Sequence, residues 1–400
     1  MIARSQEKIV AVIEVENIVD EKDVAELAAK LVASFPPSKT KPVDFLGAQF
    51  DAGLAWVHFP VGYGGLGASP KHQKIVNEVI AASSGPSSYM RNPIGYGMCA
   101  PTIAQWGTPD QIQRYLRPLF TGEEIWCQLF SEPGSGSDFA GLSAKGVLDG
   151  EEWIVNGQKV WTTLAHLSRF GLLVVRTDPQ AVKHAGLTAL IVDMQAPGVE
   201  VRPLRQMTGE AEFNEVYFTD TRIPFKDTLG GAGDGWRVSL TTLMNERAAI
   251  GSGNSGDNNL LTRVIAMVKH YGLDTDPLIR VQLADIIMNY RIAAMNSQRT
   301  AASAKAGKLP GPEGSVGKMV LVNNQARLVK FVSHVLGPKL IADSGEWGTY
   351  AWNQLVLGTP GLRIAGGSDE VMRNIVGERV LGLPKDTGID SKSSFRDLQK

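Results

Sequence analysis

The sequence predicts a multidomain α+β protein with an N-terminal helical domain, a β-rich middle domain folded as a barrel or sandwich, and a C-terminal four-helix bundle. Three observations predict it. Apolar residues recur at helical spacing from about residue 20 to residue 121. From 126 to 219 the pattern changes to short alternating or continuous apolar runs bounded by Gly, Asn, Asp and Pro. From 238 onward helical spacing returns in long segments. The corresponding domains are residues 1–124, 125–237 and 238–386, followed by a polar tail at 387–400. Four hundred residues with 43% hydrophobic content can bury the cores of two or three such domains.

Each element has a local reason. Val24, Leu27, Ala28 and Leu31 predict a helix over 20–33, which Pro36 and Pro37 stop. Helices at 45–56 and 73–82 follow, separated by the glycine series at 60–67. No Lys-Ser/Thr pair follows that series, so it reads as a Pro/Gly corner rather than a phosphate loop. The segment 100–121, carrying Ile103, Trp106, Gln111, Tyr115 and Leu116, completes the first domain, with a helix start at Thr108-Pro109-Asp110. Strands are predicted at 126–130, 143–148, 153–159, 170–176, 187–192, 199–203 and 213–219, with turns at Asp149-Gly150 and Asn156-Gly157. Helices are predicted at 238–251, 258–271, 276–306, 315–342 and 369–381. The Pro/Gly-rich stretch 308–314 joins two of them, and the tail after Asp386 is expected to be loose.

Composition excludes several function classes. With a formal net charge of −1 and basic residues spread along the chain, there is no basic face for nucleic acid and no cluster suited to a membrane surface. The first 19 residues mix charges into their apolar positions and do not read as a secretory signal. No later run is apolar enough to span a bilayer, and the expected location is cytoplasmic. Cys99 and Cys127 are too few for a disulfide framework or a cysteine metal site and are expected to be buried, inert thiols. The six His residues lack ligand spacing, so no metal is implied; His166 and His334 read as surface or packing residues.

The chemistry-bearing stretch is SEPGSGSD at 131–138, preceded by Phe130. Small residues let backbone approach a large anionic ligand, exposed N–H groups can hold phosphate oxygens, and Ser131 and Ser137 add hydroxyls. Alone, the loop reads equally well as a surface turn between strands. Its order with WIVNGQKVWTT at 153–163 and GGSDEVMRNIVGERVLGLP at 366–384 resembles the acyl-CoA dehydrogenase family over nearly the whole chain.

That resemblance implies FAD, an acyl-CoA substrate, and α,β-dehydrogenation by α-proton abstraction and β-hydride transfer to flavin. It also implies an electron-transfer flavoprotein as acceptor, and a homo-oligomer or a heteromer with a related subunit. The cofactor-binding residues it implies are Phe130, Ser131, Gly136, Ser137, Trp161, Thr163, Ser368 and Glu370, with Ser137, Arg247 and Gly367 on the substrate. Phe130 and Ser131 would lie along the pyrimidine edge, Trp161 would flank the isoalloxazine, and Thr163 would bond near N5. Much of the family carries its catalytic Glu immediately before the Gly-(Thr/Ser) of the C-terminal motif, where Gly366 stands here. A second arrangement, in isovaleryl- and long-chain-type members, places Glu before an Arg on the first helix of the C-terminal bundle. Residues 243–247, Leu-Met-Asn-Glu-Arg, match it and imply Glu246 as the base. Flanking Leu243, Ala248, Ala249 and Ile250 would make its surroundings apolar, which raises a carboxyl pKa towards that of a working base. The Gly366 backbone N–H is implied as a donor to the thioester oxygen. Lys269-His270-Tyr271-Gly272-Leu273 and His334-Val335-Leu336-Gly337-Pro338 replace two family segments, one of them an intersubunit pyrophosphate contact, which is compatible with an oligomer whose halves differ. The competing readings are a same-fold flavoprotein oxidase or monooxygenase and a catalytically silent subunit.

Overall fold

The computed structural model describes residues 20–251, 257–305, 311–342, 345, 352–385 and 393–398, with side chains throughout except at 247–251, 257–259, 301, 303–305 and 398. Helix α1 (Glu21–Ser34) begins at a reciprocal capping box between Asp20 and Asp23 and turns Val24, Ala28 and Leu31 inward. Helices α2 (Pro42–Asp51) and α3 (Gln73–Ala82) share a core with it, in which Phe45, Leu54, Val57, Leu66, Val76 and Ile80 are buried. The glycine series between them packs as a corner. The Gly64 carbonyl accepts from the N–H groups of Ala55 and Trp56, each at 3.1 Å. A Cβ on Gly65 would stand 2.1 Å from the Phe59 carbonyl oxygen, so only Gly lets these backbones meet.

Helices α4 (Ser88–Arg91), α5 (Ala100–Trp106) and α6 (Pro109–Thr121) follow, with a π-helical turn at Gly95–Cys99. The predicted segment 100–121 is therefore two helices, broken at Gly107. The second opens where expected, with Thr108 and Gln111 capping each other, and ends at Gly122, whose φ is +71°. The short α4 and the π turn have no periodic signal of their own.

Eight strands form one mixed sheet: β1 (Trp126–Leu129), β2 (Lys145–Asp149), β3 (Glu152–Thr163), β4 (Phe170–Arg176), β5 (Leu187–Asp193), β6 (Val199–Leu204), β7 (Phe213–Pro224) and β8 (Thr228–Leu229). The order is β6-β7-β3-β2-β4-β5-β8, with β1 pairing β4 in parallel. Trp153, Val155, Leu173, Val175, Leu190, Val192, Val216 and Phe218 fill its core. The β2–β3 hairpin turns at Gly150, as predicted, but Asn156-Gly157 is not a turn. It runs through β3 opposite a bulge in β7 at Asp220, whose φ is +47°. The Asn156 amide donates to the Asp220 carboxylate at 2.9 Å, and the Asp220 N–H donates back at 3.0 Å. Gly157 is required there because a Cβ would stand 2.5 Å from the Ala144 Cβ. The Asn-Gly pair that usually closes a hairpin serves a bulge instead. Cys99 and Cys127 are fully buried, and burial pushes both thiols up, Cys127 to about 12.

The chain divides into two compact units. The first holds α1–α6, the sheet, the start of α7 (Gly235–Gly251) and the C-terminal residues 393–398. The second holds residues 205–211, the rest of α7, α8 (Asp257–His270), α9 (Pro277–Lys305), α10 (Gly314–Leu336), α11 (Asn353–Leu362) and α12 (Asp369–Ile375), which passes into a π turn at Val376–Val380. Val264, Met267, Ile279, Ile286, Leu328, Phe331 and Trp352 form the core of the second unit. Helix α11 is absent from the sequence expectation because Gly358, Pro360 and Gly361 mask it. Within the tail, the described residues 393–398 end in helix α13 (Phe395–Leu398). Among the described residues no helix is long and apolar enough to cross a membrane, and no group of His, Cys, Asp and Glu is arranged to hold a metal.

Candidate functional site

In the first unit, the loop 130–138 is held to β3 by a buried ion pair. Lys159, fully buried, places its ammonium 2.8 Å from the Glu132 carboxylate and donates to the Phe130 carbonyl at 3.0 Å. Glu132 also accepts from the Ser143 N–H and hydroxyl, at 2.7 and 2.9 Å, and from the Ala144 N–H at 2.9 Å. Burial pushes the Glu132 carboxyl up, but Lys159 and these donors outweigh it and hold it below the usual carboxylate range. The Val160 N–H donates to the Ser131 carbonyl at 2.9 Å. Glu132 turns inward, leaving Gly134, Gly136, Ser137 and Asp138 on the exposed rim of the loop.

A second anchor stands behind the rim. The buried Arg176 guanidinium donates to the carbonyls of Ala140, Leu142 and Lys183 at 2.6, 3.2 and 3.0 Å. Burial pulls its pKa down to about 10, so it stays protonated at neutral pH. The Lys183 ammonium lies 2.7 Å from Asp138.

Six of the expected residues lie on the loop and the end of β3, which the Val160–Ser131 bond joins: Phe130, Ser131, Gly136, Ser137, Trp161 and Thr163. Phe130 is a core residue, its ring 4.9 Å from that of Phe139 in a stacked pair. Trp161 behaves oppositely. The β3–β7 register slips between Lys159 and Thr162, placing one extra residue on β3, and Trp161 takes φ +59° in that bulge. A positive φ is costly for a bulky side chain, and the bulge turns the indole outward, where it is 61% exposed. Beside it, the Thr162 hydroxyl is buried without a partner.

In the second unit, Gly366 and Gly367, at φ +68° and +98°, form the turn into α12. A Cβ on Gly367 would stand 2.4 Å from the terminal methyl of Met372. Ser368 caps α12 by accepting the Val371 N–H at 3.3 Å. The buried Lys318 donates to the Gly367 carbonyl at 2.6 Å, and Arg363 grips Asp369 at 2.6 Å. Glu370 is exposed. Glu246 is half-buried on α7, and the Arg247 side chain lies outside the described residues. The first half of α7 is pinned to the N-terminal helices within the first unit. The Thr242 and Thr102 hydroxyls lie 3.0 Å apart, and the Trp106 indole donates to Thr241 at 2.9 Å. Of the histidines, His166 pairs with Asn214 and His334 with Gln282.

Glu132, Lys159, Arg176 and Lys183 carry no expected role in the sequence reading. The signal was parity: Lys159 falls on the same alternating face as Trp153 and Val155, and a charge on the inward face of a strand needs a buried partner.

Comparison with known proteins gives a consistent result. Three models of acyl-CoA dehydrogenase domains match in order: N-terminal over residues 15–123, middle over 127–221 and C-terminal over 233–381. The acyl-CoA dehydrogenase FadE34 of Mycobacterium tuberculosis is 37% identical over 90% of this chain, which spans about half (48%) of that protein's length. The acyl-CoA dehydrogenase IpdE1 of the same organism is 38% identical, over 84% of this chain and 86% of its own. Among solved structures, the Tcur3481-Tcur3483 steroid ACAD superposes with a TM-score of 0.74 at 23% identity, covering 91% of this chain and 97% of that one. The ChsE4-ChsE5 complex from Mycobacterium tuberculosis gives 0.71 at 24%, covering 94% and 100%. These two likenesses concern the fold. With the three domains matched in sequence order and a relative such as IpdE1 aligned over most of both chains, the chain belongs to the acyl-CoA dehydrogenase family of FAD-dependent oxidoreductases.

Proposed function

We propose that the chain performs α,β-dehydrogenation of an acyl-CoA thioester, with Glu246 taking the α-proton. The observation that carries the reading is Trp161, an aromatic face displayed from a strained bulge beside a loop that buried charges hold in place. Such strain persists at sites that use it. The residues fit FAD: the Trp161 indole offers a flat surface to a ring system, Gly136 has open space where a Cβ would be, and the Thr162 hydroxyl awaits a partner. When bound, FAD supplies the two-electron acceptor for the β-hydrogen. Phe130, Ser131, Trp161 and Thr163 would hold its ring, and Ser368 and Glu370 its adenosine half. Ser137, Arg247 and Gly367 would hold the thioester.

Gly366 has no acid to offer, so the proton goes to Glu246. Glu246 stands half-buried on α7, where its carboxylate would receive the proton. The Gly366 N–H would stabilise negative charge on the thioester oxygen. Purified protein should be yellow, alone or with a related subunit, and Trp161→Ala should shift its visible absorption bands. Anaerobic bleaching by CoA thioesters, from linear to polycyclic acyl groups, tests the reaction. Flavin that no thioester bleaches would sink it in favour of a silent subunit, and bleaching by other reductants with oxygen uptake would favour an oxidase or monooxygenase.

Assembly follows from α9. Leu278, Val281, Met288, Ile292 and Met295 are each more than half exposed and recur at intervals of three, seven, four and three residues along one stripe, opposite the buried Ile279 and Ile286. We infer that another chain of the same family covers this stripe. Met288→Glu should lower the sedimenting mass to that of a smaller species; an unchanged mass would remove α9 from the interface. An electron-transfer flavoprotein remains the proposed acceptor.

A further inference from the structure

Residues 393–398 pack against residues 179–182 and Arg176, behind the candidate ligand loop's second anchor. Ser394 makes an antiparallel bridge with Val182, the Phe395 N–H donates to the Ala181 carbonyl at 3.2 Å, and the Arg396 N–H donates to that of Pro179 at 3.1 Å. One isolated bridge and two backbone bonds thus tie the start of α13 to residues 179–182. It delivers one large side chain. The buried Phe395 ring lies 3.7 Å from the Arg176 guanidinium carbon.

Arg176 is the residue that fixes the loop from behind, through the carbonyls of Ala140 and Leu142, and it ties in residue 183 through a third carbonyl. Lys183, next to the bridged Val182, reaches the loop independently through Asp138. Two connections therefore run from the tail to the loop, Phe395 to Arg176 and Ser394 through Val182 to Lys183, all inside the first unit. The guanidinium gives its hydrogens to carbonyls, and the charges of Glu132, Asp138 and Asp178 offset its burial only in part. An aromatic face excludes water from it and returns part of the lost attraction. Without the ring, water reaches the guanidinium and competes for the donors that hold the loop.

We propose that residues 393–398 act as a latch, with Phe395 a positioning residue that keeps the loop 133–142 in its ligand-ready form by seating Arg176. That the loop takes a phosphate-bearing ligand rests on the dehydrogenase reading; that the tail holds the loop does not. The tail would then set affinity rather than chemistry, since it touches none of the residues placed at the reacting bonds.

Amide hydrogen exchange on the full chain tests this with Phe395→Ala and Phe395→Tyr. In Phe395→Ala, exchange across 133–142 should accelerate about tenfold while amides at the centre of β4 and β5 keep their protection. The dissociation constant for FAD and the KM for an acyl-CoA should rise together by about fivefold, with kcat unchanged. Phe395→Tyr, which keeps the aromatic face, should restore all three. Unaltered exchange at 133–142 overturns the latch, and so does acceleration spread evenly over the sheet, which would make Phe395 an ordinary packing residue. Faster loop exchange with unchanged affinity for both FAD and the acyl-CoA supports the latch and instead removes the loop from the ligand site.

Discussion

Replacing Glu246 with Gln is expected to leave flavin binding intact while lowering the rate of flavin reduction by an acyl-CoA by about two to four orders of magnitude, the range for a positioned general base. The substitution keeps size and hydrogen-bonding capacity and removes only the proton acceptor. Stopped-flow reduction under anaerobic conditions separates the two effects, since the spectrum reports binding and the bleaching rate reports chemistry. Undiminished reduction would take Glu246 out of the mechanism and leave the chain without an identified base. A Glu introduced at Gly366 in the Glu246→Gln background addresses the same proton from the other position found in the family. The structure limits the recovery, because Gly366 has φ +68° and a side chain there is strained. Recovery of even about tenfold would still show that both positions serve one α-carbon.

The three-part order of the fold is legible in the sequence because each part has its own period. The seven predicted strands fall on β1 to β7, and the added β8 is a two-residue strand too short to leave a pattern. The errors sit where one residue type has two uses. Asn156-Gly157 carries a hairpin signal, but its partner is a bulge 64 residues away at Asp220, and local propensity cannot report a partner at that distance. Helix α11 fails in the opposite way: Gly358, Pro360 and Gly361 are helix breakers by propensity, and packing around the buried Trp352 and Thr359 overrides them.

The candidate site is legible in the residues that would touch a ligand and illegible in those that hold them. Small, exposed, polar residues at 131–138 advertise an approach by backbone. Glu132 sits among them and turns the other way, and nothing in the string distinguishes it from Asp138 on the rim. Arg176 ends a strand that is buried throughout, where only the arrangement of distant carbonyls explains a guanidinium. The link from Phe395 to Arg176 spans more than half the chain, beyond any periodic pattern.

The buried pair gives the largest expected effect on stability. Lys159→Met leaves the Glu132 carboxylate in the interior without its cation, and breaking such a pair costs about 3–5 kcal/mol. For a unit of this size that lowers the unfolding midpoint by on the order of 10 °C. Removing both charges, as Glu132→Gln with Lys159→Met, should be milder than removing the lysine alone, because no uncompensated charge remains. The pH dependence gives a second readout. In the native protein the Glu132 carboxyl is held below its unfolded value, so its contribution is fully present above about pH 4.3 and is lost as pH falls through the depressed folded pKa. Without Lys159, burial is opposed by the Ser143 and Ala144 donors and the charge of Arg176 alone, and the folded pKa rises. Protonation then relieves the buried charge, so the gap between the variant and the native protein should narrow as pH is lowered from 7 to 4. Thermal unfolding across that range, followed by tryptophan fluorescence, measures the gap at each pH. A gap that stays constant would mean that Glu132 is not charged in the native interior, and the ion pair would then have no part in holding the loop.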